Sequence, residues 1–81
     1  MKKIKDLEEL KQLASEAIVP AFIHLNYGLR SAKDIKYDAD KDIWHVFHYI
    51  DDTEQKLTTQ QLGEETNIIK ALENGALYQY L

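Results

Sequence analysis

Three imidazoles, His24, His45 and His48, are the side chains best suited to acid–base or metal chemistry near neutral pH. Either role needs two of them together, or one beside a carboxylate. Side chains alternate between the two faces of a β-strand, so on a strand His45 and His48 point apart and cannot share one ion. Each reads as a half-buried sheet residue with a backbone or tyrosine partner. The chain has no cysteine, which removes thiolate metal sites and disulfides together. Asp38-x-Asp40-x-Asp42 reproduces the first half of a calcium loop, in which alternate acids converge on a hard cation. The copy breaks down at Ile43, where such loops carry glycine, and at Tyr49, where they carry a bidentate glutamate. The segment reads as a solvated hairpin loop, and no metal or other cofactor is expected.

Nucleophilic chemistry has equally little support. Ser15, Ser31, Thr53 and Thr58 fall at loop or cap positions, and none is framed by glycines with a base nearby. The three glycines, at positions 28, 63 and 75, are isolated and build no phosphate cradle. Asp51-Asp52 is a pair of turn-forming acids. The segment from Leu57 to Ile68 resembles the opening of a helix-turn-helix, with a capped first helix and a polar break before an apolar second one. Its would-be recognition helix carries one base, Lys70, and Glu64, Glu65 and Glu73 would meet phosphates with the wrong sign. These residues carry no enzyme signature.

At 81 residues the chain has room for one core, and residues 1–81 read as a single domain. Hydrophobic residues make up 44% of it, enough for a folded globule. Domains of this size gain only about 3 to 5 kcal/mol from one core, so self-association is a natural supplement where disulfides are absent. The net charge is −4, with six acids against one lysine between Asp38 and Glu54 and a basic start at Lys2, Lys3 and Lys5. That balance disfavours phosphate backbones and anionic lipid heads. Asp6, Glu8 and Glu9 leave no apolar stretch behind the first lysines, so no signal peptide is expected, and no window reaches the ~18 apolar residues of a membrane span. The expected compartment is the cytoplasm.

The elements that would position these side chains can be read from periodicity. Ile4, Leu7, Leu10, Leu13, Ala14, Ala17 and Ile18 recur at helical spacing, and Pro20 ends the helix by forcing Val19 into an extended conformation. Ala21 to Leu25 reads as a short strand, bounded by the turn residues Asn26-Tyr27-Gly28. Lys33 to Tyr37 and Ile43 to Ile50 form a hairpin around residues 38–42. In its second strand Ile43, His45, Phe47 and Tyr49 alternate with Trp44, Val46, His48 and Ile50, so both faces are largely apolar and both need cover. The N-terminal helix can cover one; a second helix layer or another molecule must cover the other. A third short strand is expected at Gln55-Lys56-Leu57. Thr58 with Gln61 matches a capping box, Asn67 is placed to cap a second helical segment, and Asn74-Gly75 is a helix stop.

The expected architecture is α+β: an N-terminal amphipathic helix, a small mainly antiparallel sheet centred on residues 43–50, a C-terminal helical pair and a short tail. Residues 76–81 read as a final edge strand or a docked apolar tail. Leu77, Tyr78, Tyr80 and Leu81 bring uncharged apolar and aromatic surface to the chain end, and they are the candidate partner-binding residues and the candidate dimer contact. The function expected by elimination is that of a small non-enzymatic accessory or regulatory protein that binds another protein. Two alternatives remain: a nucleic-acid-binding regulator using helices 58–74, and an acidic inhibitor whose residues 38–54 mimic a phosphate backbone.

Overall fold

The periodic stripe near the N-terminus folds as α1, Leu7–Glu16, in the computed structural model, which describes residues 1–24, 31–49 and 51–80. Asp6 caps it by accepting from the Glu9 amide at 2.9 Å, and Glu8 and Glu9 place negative charge at the positive end of the helix. Leu10 and Ala14 are buried, with Leu7 and Leu13 packed beside them. The helix is shorter than the stripe at both ends. Ile4 precedes the cap and donates its amide to the Leu77 carbonyl at 3.0 Å. Ala17 is already extended, so Ile18 leaves the apolar face and is 53% exposed. The cause is the strand that begins at Val19 and contains Pro20, whose ring excludes the helical region for the residue before it.

Among the described residues six strands form a single sheet: β1 (Lys2–Lys3), β2 (Val19–Ile23), β3 (Ser31–Asp38), β4 (Ile43–His48), β5 (Thr53–Leu57) and β6 (Leu77–Gln79). Their spatial order is β1-β6-β2-β3-β4-β5, and every neighbouring pair is antiparallel. The β3–β4 hairpin sets Tyr37 opposite Trp44 and Ile35 opposite Val46. Its turn includes Asp42 at φ 53°, and the next turn includes Asp52 at φ 57°; aspartate is one of the few non-glycine residues that accept this region. The C-terminal segment is neither an edge strand nor a docked tail. β6 lies between β2 and the two-residue β1, so its backbone is engaged on both sides.

Between β5 and β6 lie α2 (Thr59–Glu65) and α3 (Ile68–Glu73). Thr58 and Gln61 complete the capping box at the start of α2. Asn67 precedes α3 but its side chain makes no cap bond. Thr66 takes that role by accepting from the Ile68 amide at 3.2 Å, because its hydroxyl is already held over the end of α2 by the Leu62 carbonyl. Gly75 stops α3 in the left-handed conformation at φ 66°.

Paired residues in a sheet share a face. Val19, Ile35 and Val46 form one row across the sheet and Tyr37, Trp44 and Leu57 another, all on the side where Leu10, Ala14, Leu62, Ile68, Ala71 and Leu72 of the helices pack. The core is therefore one layer between the sheet and all three described helices. The C-terminal pair adds to the layer started by α1 and does not form a second layer on the opposite face. No described helix is long and apolar enough to cross a membrane.

Candidate functional site

On the helix-free side of the sheet the cross-strand rows carry a different chemistry. Phe22 of β2 pairs with Tyr78 of β6, and their rings stack at 5.4 Å between centroids. The Tyr80 amide donates to the Pro20 carbonyl at 2.8 Å, which lays the Tyr80 ring 4.9 Å from Phe22. His24, just past the end of β2, lies 6.3 Å from Tyr78. Phe22 is only 3% exposed although it stands apart from the main core, whereas Tyr80 is 43% exposed. The result is an aromatic cluster with an apolar floor and phenol rims, a composition suited to contact with another macromolecule.

Toward β3, β4 and β5 the same face becomes mixed. Asp34 lies opposite Phe47, and the Tyr49 hydroxyl donates to the Asp34 carboxylate, which raises the Tyr49 pKa by holding its proton. Lys36, His45 and Lys56 form the next row. His45 Nδ1 is 3.0 Å from Glu54 Oε2. Acids and bases alternate here, so the face has no single sign of charge.

The other sequence candidates are drawn into local structure. His48 points to the helix side of the sheet, away from His45, with Nδ1 3.4 Å from Lys33 Nζ and Nε2 within hydrogen-bond distance of Gln55 Oε1. Burial lowers the Lys33 pKa, with Asp51 opposing the shift. Asp38 accepts from the Asp40 amide, and Asp51 from the Thr53 amide and hydroxyl. Ser15 donates to the Lys11 carbonyl. Among the described residues, no three His, Asp or Glu side chains are grouped where they could hold a metal ion. Leu77 is fully buried in the core, Tyr78 and Tyr80 lie on the helix-free face, and Leu81, like Ile50 and residues 25–28, lies outside the described residues.

Asp42 anchors the hairpin turn to the start of α2. Its carboxylate accepts from the Tyr37 hydroxyl at 2.8 Å and from the hydroxyl and amide of Thr59, and Thr59 Oγ1 in turn accepts from Trp44 Nε1 at 2.9 Å. The hydrogen bonds from Thr59 and then Tyr37 lower the Asp42 pKa. A carboxyl whose pKa falls on folding contributes stability above its unfolded value of about 3.9, and the contribution is lost as pH falls through the folded value. Asp42→Asn keeps a residue that tolerates φ 53° while removing the charge. We expect the variant to be less stable than the parent at pH 7, with the difference closing as pH drops below about 4. Urea melts across that range measure it, and a difference independent of pH would mean that the charge has no part in the anchor.

Sequence reasoning identified Tyr78 and Tyr80 but missed Phe22, the residue that makes them a cluster, because the pairing of β2 with β6 spans most of the chain. Alternation placed Phe47 correctly on the face of Ile43 and His45. Thr59 and Lys33 gave no signal of their own. Comparison of the chain with protein-family models, curated proteins and solved structures found no match in any of the three. The functional reading therefore rests on this geometry.

Proposed function

We propose that this chain is a small non-enzymatic accessory or regulatory domain that binds another protein through the helix-free face of its sheet. The observation that carries the reading is the aromatic cluster of Phe22, Tyr78 and Tyr80 on a face to which none of the described helices contributes. Tyrosine buries a large ring at little entropic cost while its hydroxyl stays satisfiable, which is why it is enriched at protein interfaces. The partner that fits is a folded protein with an exposed apolar patch rimmed by both signs of charge, since Lys36, Lys56, Asp34 and Glu54 share this face.

The alternatives have less behind them. α3 has six residues and buries Ile68, Ala71 and Leu72 against the sheet, leaving little helix to enter a groove. The six acids from Asp38 to Glu54 divide between the two turns at opposite ends of β4 and the strand residues beside them, roughly 20 Å apart at about 3.4 Å per residue, and so do not form a row like successive phosphates.

The test is proximity cross-linking in cells followed by capture with purified variants. The Tyr78→Ala/Tyr80→Ala double variant should lose the cross-linked protein by tenfold or more in affinity, while Gln60→Ala/Glu64→Ala on exposed α2 keeps it. The opposite pattern, or retention of nucleic acid that weakens steeply with salt, would overturn the reading.

A further inference from the structure

The two ends of the sheet differ. β1 has two residues, both lysines, and offers almost no edge. β5 has five residues, Thr53–Leu57, paired with β4 at every position and with no other described strand on its outer side. It contains no proline, and its register with β4 runs without a bulge. Proline, bulges and lysines are the devices by which proteins normally close an edge, and β5 retains only a single lysine, balanced by a glutamate. Glu54 and Lys56 both point to the helix-free side and both are exposed.

We infer that β5 pairs antiparallel with β5 of a second copy of this chain, about a two-fold axis through Gln55. That register sets Glu54 opposite Lys56 of the partner subunit, and by symmetry repeats the pair on the other side of the axis. Opposite charges facing each other across strands stabilise the pairing, and like charges oppose it. A parallel arrangement in register would instead stack Glu54 on Glu54 and Lys56 on Lys56, so the charge order selects the antiparallel one. The contact between Glu54 and His45 uses Oε2, and the carboxylate keeps a second oxygen for the new neighbour. The axis stands perpendicular to the sheet, so the two helix layers fall on one side and the two bare faces join into one. A six-stranded sheet thereby becomes twelve-stranded, and every contact at the join occurs twice, as an isologous interface requires, with Gln55 alone facing its own symmetry mate. The pairing does not depend on what the bare face binds.

Light scattering of the full chain across a micromolar to submillimolar series tests it. The parent should approach twice 9.4 kDa as concentration rises. Glu54→Lys and Lys56→Glu each oppose like charges at two symmetric positions, and each should raise the dimer dissociation constant by about tenfold or more. Mixing those two variants restores both pairs and should produce a mixed dimer, and the swap Glu54→Lys/Lys56→Glu should dimerise like the parent. Circular dichroism of each variant confirms that it is folded, and the mixed sample reads the pairing even where one variant is less stable alone. A parent that stays at 9.4 kDa throughout, or single variants that dimerise as the parent does, would overturn the inference.

Discussion

Trp44→Ala is expected to cost about 3 to 5 kcal/mol of unfolding free energy, the range of large aromatic truncations in a packed core. Trp44 is fully buried, its ring stacks on Tyr37 at 4.1 Å, and its Nε1 donates to Thr59, which in turn binds Asp42. Truncation therefore opens a cavity beneath α2 and takes away a donor from the network that ties α2 to the hairpin. Since a small core supplies only about 3 to 5 kcal/mol in total, the variant should be largely unfolded at 25 °C. Trp44→Phe separates the two contributions: it keeps a ring against Tyr37, loses the donor, and should cost about 1 to 2 kcal/mol. Urea melts followed by far-ultraviolet circular dichroism, which does not depend on the missing indole, measure both. A loss under about 1 kcal/mol for Trp44→Ala would place the core elsewhere.

Leu77→Ala should cost about 2 to 5 kcal/mol, while Tyr80→Ala, three residues further along, should cost less than about 1 kcal/mol. The two residues look interchangeable as apolar members of one tail. Leu77 is 0% exposed on the helix side, opposite Ile23 in a strand bonded on both flanks, and its carbonyl accepts from Ile4. Tyr80 is partly exposed on the bare face and rests only against Phe22 among the described rings. Melting temperatures resolve the contrast, since about 1 kcal/mol shifts a domain of this size by roughly 4 to 8 °C. Equal losses at the two positions would mean that the tail is packed as a unit and that its two faces are not distinct. The contrast also guides the binding experiment: Tyr80→Ala should leave the chain folded, Leu77→Ala should not, and the fold of the Tyr78→Ala/Tyr80→Ala variant is checked by circular dichroism before its binding is read.

How much of this was legible in the residues depended on the distance over which each feature is decided. The apolar stripe ended by Pro20, the Thr58–Gln61 box, the hairpin around residues 38–42 and the stop at Gly75 are each settled within a few residues, by local periodicity, capping bonds, proline sterics or the freedom of glycine. The α+β class and the order of the elements from α1 to α3 were legible at this range. Even here tertiary bonds adjusted the boundaries: Thr66 in place of Asn67 at the start of α3, and Ile18 outside the helix because the pairing of β2 had already begun.

Alternation in β4 showed two apolar faces but held no information on which helices would cover them. That was decided when α1, α2 and α3 all packed on the side of Trp44 and Val46, leaving Ile43, His45 and Phe47 on the bare face. The strand at Lys2–Lys3 has no apolar pattern and exists only because β6 presents a backbone to it. The aromatic cluster likewise joins Phe22 to Tyr78 and Tyr80 across more than fifty residues of chain, through a ladder whose register is set by burial of Ile23 and Leu77 on the other face. By itself, then, the sequence determined the local elements and the residues available for a surface. Which of those residues stand together, and on which side, was decided by long-range strand pairing and the burial that fixes its register.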